Sequence, residues 1–459
     1  MSLVFQSKVK ESLKKFSSKV YMKQGQKIVT YEHIGGKSLK IEQWLANYPE
    51  NLKVGLMIDD TCEFVSSLIG VLFARDIFVP FMTSLPKKRI QTMNDVVQVD
   101  ILIIEQKNFE KAKDLFIDYP NVKIISVEEI EDYDNNSNVE HDWSEDDPVY
   151  IYFTSGTTGK PKAILGKNKS ITQFIEWETK AFSIDENVVT SQITSFGFDA
   201  SLRDFFLPFF NGGMVCCPDN KDTLLETEIF QSYVNENDLS IIHCTPSVFG
   251  LLLSNTQKND FSNLKYVMLA GEPIRIEEAK KWYRIFEGRI KIVNFYGASE
   301  TTMIKAFHII SEDDFRLPRI PVGKAIDGAK LLVLNARMKP CPIGSEGEVY
   351  IRTPYCSLGY YNDEEKTREK FIVNPYTGNE NDLLYRTGDL GILLPSGDVD
   401  IVGRTDRMVK IHGSRIELDE IESVACQIKG VEKAAVICRN DNGVKKLVLF
   451  YVEKEENKI

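Results

Sequence analysis

The sequence predicts an α/β protein: a large N-terminal body of two α/β sheet subdomains plus a β-rich subdomain, followed by a small partial α+β C-terminal subdomain. Three observations carry this. Short apolar runs alternate with helical runs from residue 54 to about residue 300. Residues 330–400 look more purely β, and a short amphipathic helix beyond residue 407 precedes two more strand-like runs.

In chain order, "VGLMID" at 54–59 is followed by a helical stretch through "EFVSSLIGVLFA" and then by "DIFVPF", "DILIIE" and "VKIISV". That order reads as βαβ units around a mostly parallel sheet. The acidic, Asn-rich "EEIEDYDNNSNVEHDWSEDD" reads as a surface loop. After it, the apolar "PVYIYF" reads as a buried strand that runs into the polar turn "TSGTTGKPK". A second α/β block contains "LSIIHCTP", "LKYVMLAG" and "IKIVNFYG", three strand ends able to face one cleft. "KLLVLN", "GEVYIR" and "DVDIVG" make the β-rich part. In the tail, Leu418, Ile421, Val424 and Ile428 fall at helical spacing ahead of "KAAVICR" and "KKLVLFYVE".

With 459 residues and 43% hydrophobic content the chain can build several cores, which suggests two to four domains or subdomains. A net charge of −11, with no basic block, argues against a nucleic-acid partner, and no apolar run is long enough to span a membrane. The eight cysteines form no CxxC pair and the N-terminus lacks a signal-peptide core, so a cytoplasmic location is expected. The five histidines never reach HExxH spacing, and no zinc site is expected.

The turn after "PVYIYF" sits where open α/β sheets place ligands, at a strand's C-terminal edge. Gly156 and Gly159 let backbone N–H groups turn toward an anion. Thr154, Ser155, Thr157 and Thr158 add hydroxyls, and Lys160 or Lys162 supplies charge. It is not a Walker A loop, since only two residues separate the glycines and Pro161 follows Lys160. A phosphate is the expected ligand.

"TSGTTGKPK" resembles the phosphate-binding signature of the adenylate-forming superfamily: acyl- and aryl-CoA synthetases, luciferases and the adenylation domains of nonribosomal peptide synthetases. Further matches follow in the family's order, with "FDAS" at 198–201, "NFYGASETT" at 294–302, "GEVYIR" at 347–352, "YRTGDL" at 385–390 and "GRTDRMVKIHGSRIELDEIE" at 403–422. Weaker echoes at "IVTYEHI" and "GVLFARDIFVPF" extend the likeness over nearly the whole chain. The wording "RIELDEIE" is most similar to the peptide-synthetase branch.

This resemblance implies ATP-dependent activation of an α-amino acid as an aminoacyl-adenylate, followed by transfer to the phosphopantetheine thiol of a carrier domain, with other synthetase domains as possible neighbours. It implies ATP and Mg²⁺. Thr154, Ser155, Gly156, Thr157, Thr158, Gly159 and Lys160 then cradle phosphates, and Lys162, Glu300 and Arg404 are the catalytic set. Tyr296 offers adenine a ring face, beside Gly297 and Ser299. Glu300 is a hard oxygen ligand for Mg²⁺, or else a solvated carboxylate. Asp389 accepts from ribose hydroxyls, and Arg404 pairs with ribose or phosphate.

Asp199 matches the position that binds the α-amino group, and Ala200, Arg203, His243, Met268, Ala270, Phe295, Met303 and Ile304 surround the side-chain pocket. Arg203 either pairs with Asp199 at (i, i+4) or, with His243, greets a polar or anionic side chain. His243 is alternatively a satisfied strand-end histidine.

Asp406 falls at the family's hinge, dividing a core at 1–405 from a partial unit at 406–459, and is otherwise a helix or turn cap. Three departures stand out. No "NGK"-like adenylation lysine follows "FYVEKEENKI", Ala163 replaces the usual Gly, and Ile401 replaces a common aromatic. The chain is therefore expected to be a fragment, or an interrupted domain, or one whose lysine is supplied otherwise, and to adenylate poorly when isolated. The alternatives are an acyl- or aryl-acid CoA synthetase-like ligase, or a weakly catalytic nucleotide-binding scaffold.

Overall fold

The first alternating block folds into a six-stranded sheet ordered Lys123–Ser126, Ile101–Ile104, Lys53–Met57, Ile77–Pro80, Pro148–Thr154, Lys162–Lys167. All neighbours are parallel except the last pair, which folds back antiparallel across the polar turn. The computed structural model describes residues 4–132, 141–155, 161–219, 226–411, 413–441 and 444–454. Gly156, Thr157, Thr158, Gly159 and Lys160 lie outside the described residues.

The helix Thr61–Phe73 is apolar on every side and buries every residue but Glu63, as expected for a helix enclosed by the core. Asp60 starts it by accepting from the N–H groups of Cys62 and Glu63 at 2.9 and 3.1 Å. Its side chains join those of Ser201–Asn211 in the largest hydrophobic cluster.

Just beyond this helix, Asp76 is 2% exposed and accepts from the Leu52 N–H at 2.8 Å. Burial pushes its pKa up to about 7, from 3.8. A value raised on folding favours the folded state below the unfolded pKa, and that stability is lost as the pH climbs through 7. Asp76→Asn keeps an acceptor for Leu52 and removes the ionisation. Its Tm advantage over the wild type should therefore widen between pH 4.5 and pH 8, toward a free-energy gain on the order of 3 kcal/mol; an advantage that does not grow with pH excludes this account.

The second block builds a nine-stranded sheet. Ile241–Cys244, Tyr266–Ala270 and Lys291–Tyr296 lie side by side and parallel at its centre, with His243 level with Met268 and Ala270 level with Phe295. Their C-terminal ends meet at one edge, as expected. Unforeseen is the N-terminal hairpin Val20–Gln24/Lys27–Thr30, which adds to this sheet through Met22 paired with Val215. Its strands are short and half exposed, so they carry little apolar signal.

The β-rich unit pairs Lys330–Leu334, Glu346–Arg352, Phe371–Val373, Leu383–Leu393 and Val399–Arg404 antiparallel. Asp389 and Arg404 stand opposite one another in that register. The tail forms a hairpin, Met408–Ile411/Ser414–Glu417, then a helix, Leu418–Ala425, and a long hairpin, Val431–Asp441/Val444–Glu453. Leu418 is buried, Val424 is exposed within the helix, and Ile428 is exposed past its end at Ala425. No described helix is long and apolar enough to cross a membrane.

Candidate functional site

A cavity of about 470 Å³ opens where the central strands of the nine-stranded sheet meet the β-rich unit. Among its lining residues are Ala270, Phe295, Tyr296, Gly297, Asp389 and Arg404, which the sequence placed in one site. The Tyr296 hydroxyl donates to Asp389 Oδ2 at 2.6 Å, which fixes the ring at the cavity wall. Arg404 pairs with the other Asp389 oxygen. Its Nε and Nη2 grip both oxygens of Asp406 at 2.6 and 2.7 Å. The antiparallel register that sets Asp389 across from Arg404 builds this arrangement.

Gly297 permits a close crossing. A Cβ there would lie 2.0 Å from Met303 O and 2.8 Å from Ile304 Cα, so only glycine lets the two segments touch. The returning segment holds Thr302 and Met303 at φ of 60° and 56°, left-handed values uncommon away from glycine. That turn aims the Met303 N–H at Asp199 Oδ2, 3.0 Å away, while the Ser299 hydroxyl donates to Oδ1 at 2.9 Å. Ser299 thus serves Asp199 here. Asp199 is 5% exposed, and burial holds its carboxyl above the ordinary aspartate range in spite of those donors. It forms no ion pair with any described residue, Arg203 included. The helical segment begins at Ser201, after Asp199, so the (i, i+4) pairing does not form.

Met268, Phe295, Met303 and Ile304 are buried in one cluster with Ala270 packed against it, and Ala200 precedes the helix Ser201–Asn211. His243 is fully buried between Asp204 at 3.0 Å and Glu178 at 3.1 Å. Both ring nitrogens are engaged, which matches the satisfied histidine rather than a group open to a ligand. Burial and Arg203 lower its pKa, but the two carboxylates outweigh them and hold it above the ordinary value.

The tail hairpin closes over the opposite side of the site. Arg415 Nη1 lies 3.0 and 3.3 Å from the two oxygens of Glu300, which also accepts from the Tyr360 hydroxyl at 2.8 Å. Burial pushes the Glu300 carboxyl up, but Arg415 and Tyr360 more than offset this and hold it below the usual range. Ser155 donates to Arg415 O at 2.7 Å, and Lys162 reaches Glu417 at 3.3 Å. Burial, with Arg415 adding to it, keeps the Lys162 ammonium below the ordinary lysine pKa.

Residues 9–361 match the family model described as AMP-binding enzyme. The chain belongs to the AMP-binding enzymes. Bacitracin synthase 2 of Bacillus licheniformis is 30% identical to this AMP-binding enzyme over 439 residues, covering 93% of the chain and 16% of its own length. The chain therefore spans about a sixth of that relative. An artificially fused adenylation–PCP di-domain NRPS from Klebsiella oxytoca superposes with a TM-score of 0.85 at 22% identity, over 98% of this chain and 88% of its own. The o-succinylbenzoate CoA synthetase of Bacillus subtilis gives 0.85 at 17% identity, over 98% and 89%. At these identities the structural likeness speaks to the fold alone.

A nucleotide fits this AMP-binding enzyme on two observations. The cavity has a cofactor site's volume, and Thr154 Oγ1, at the lip of the polar turn, is buried with no partner. A cation on Glu300 does not fit the arrangement seen, because Arg415 and Tyr360 already hold that carboxylate. The sequence reading missed Tyr360, Glu178 and Asp204, whose partners come from distant segments, and gave no role to Arg415 although it lies within the match at 403–422. It also missed Lys305, fully buried beside Asp199, where burial lowers its pKa to about 8.

Proposed function

We propose that the chain activates an α-amino acid with ATP. The substrate carboxylate attacks the α-phosphate, pyrophosphate leaves, and the resulting aminoacyl-adenylate passes its acyl group to the phosphopantetheine thiol of a carrier domain, releasing AMP. The observation that carries this is Asp199. A buried carboxylate with both oxygens oriented and no cationic partner among the described residues is suited to an ammonium. A carboxylic acid without an α-amine has no use for it. The name of bacitracin synthase 2 supports the same branch.

In this reading Tyr296 supports adenine and Asp389 accepts from the ribose hydroxyls. Thr154, Ser155, Gly156, Thr157, Thr158, Gly159 and Lys160 receive phosphate, with Lys162 and Arg404 supplying charge. Mg²⁺ accompanies ATP. The protein's part is alignment and charge neutralisation. Residues 406–459 form a unit that turns about Asp406 against the core at 1–405. The Glu300–Arg415 contact belongs to the orientation that serves thiol transfer.

The decisive experiment is ATP–pyrophosphate exchange with a panel of amino acids, desamino acids and aryl acids, run on this chain and on one extended at its C-terminus. Exchange with an amino acid and none with its desamino analogue is the expected result. Equal exchange with both would return the site to the CoA synthetase-like alternative.

A further inference from the structure

Of the residues that the sequence resemblance sets around the side-chain pocket, Arg203 is the charged one left without a hydrogen-bond partner at two of its nitrogens. It is 3% exposed, yet its Nε and Nη1 are buried without any hydrogen-bond partner. Burying a guanidinium without partners for its N–H groups is strongly unfavourable. Such a group in a folded protein calls for a partner.

The nearby carboxylates do not supply one. Asp204 is taken by His243 and by the Thr194 N–H, Asp199 by Ser299 and Met303, and Glu178 meets the other nitrogen of His243 through Oε1 while its Oε2 makes no hydrogen bond, to Arg203 or to any other described residue. The guanidinium carbon stands 5.9 Å from the centre of the Phe295 ring, and Phe295 lines the cavity. Arg203 is also near enough to Asp199 and His243 to act on both electrostatically. It therefore neighbours Asp199 and faces the ring of Phe295, which lines the cavity.

We propose that the missing partner is the substrate itself, and that the site selects an α-amino acid whose side chain ends in a carboxylate. An amide or hydroxyl offers Arg203 an acceptor but leaves its charge uncompensated in a low-dielectric pocket, whereas a carboxylate supplies both. The apolar faces of Met268 and Phe295 suit the methylenes of such a side chain. The proposal rests on the amino-acid reading above and adds its side-chain class.

The test measures binding, so it does not depend on catalytic turnover. This chain is titrated calorimetrically with the aspartyl, glutamyl, asparaginyl, glutaminyl and leucyl sulfamoyl-adenosines, and with AMP. One acidic analogue should bind at least about 30-fold more tightly than its amide counterpart. Arg203→Leu should erase that preference and leave AMP affinity unchanged, which also reports that the variant is folded. Arg203→Lys, keeping the charge on a different head group, should retain the acid-over-amide preference at reduced size. A neutral analogue that binds best, with its advantage unaltered in Arg203→Lys, overturns the proposal while leaving amino-acid activation standing. Analogues that bind no better than AMP overturn both readings.

Discussion

Replacing Asp199 with Asn should lower kcat/KM for amino-acid-dependent exchange by about a thousandfold, since losing a buried charge opposite an ammonium costs around 4 kcal/mol. Asn retains an oxygen for the Met303 N–H, so the left-handed turn at Thr302 and Met303 keeps its anchor. Only the charge is lost. The control is internal: AMP affinity should stay within about threefold, because Asp389 and Tyr296 belong to a separate hydrogen-bonded group. A desamino acid forced through the reaction at high concentration should be insensitive to the change. If Asp199→Asn keeps exchange within about tenfold of wild type, Asp199 is not the amine site and the amino-acid reading fails with it.

The parts of the site that were legible in the sequence are those carried by short contiguous stretches of the chain. Asp389 and Arg404 each sit in such a stretch, and the antiparallel register of two adjacent strands brings them together. Asp199, Tyr296 and Gly297 are similar cases. The illegible parts depend on segments that meet only in the fold. The partners of His243 lie 39 and 65 residues away on two helices, and neither helix differs in pattern from an ordinary packed one. A histidine with two carboxylates and a histidine with none read alike along the chain.

Glu300 shows a different limit. The sequence offered it as a ligand for Mg²⁺ or as a solvated carboxylate, and neither its burial nor its arginine partner was readable, because Arg415 is 115 residues away. The tail helix shows the reverse error. Spacing alone extended its apolar face to Ile428, whereas the helix stops at Ala425, and the exposed Val424 was drawn into the same stripe. Periodicity marks a face, and only packing decides how far it runs.

The Glu300–Arg415 pair leads to the second large effect. Glu300 is fully buried, and Arg415 is the basic group that meets it, so Arg415→Met leaves a buried carboxylate facing an apolar chain when the hairpin docks. Removing one partner of such a pair costs about 3–5 kcal/mol, enough to reduce the docked population by a hundredfold or more. The Ser155 and Lys162 contacts to the same hairpin should loosen with it. Aminoacyl transfer to a phosphopantetheine thiol should therefore fall by at least about a hundredfold, while exchange falls less than about tenfold, since an undocked hairpin leaves Glu300 free to meet a cation. Hydrogen exchange over the strands at 408–417 should quicken in parallel. Acid should mimic the variant: a carboxyl held low by its partner favours docking above its ordinary pKa of 4.5, and that contribution is lost as the pH falls through the depressed value. If exchange and transfer decline together in Arg415→Met, the pair supports the site as a whole and does not discriminate between two arrangements. If transfer alone collapses, the same carboxylate serves two cations in turn, and the hairpin's arginine is what makes those two uses mutually exclusive.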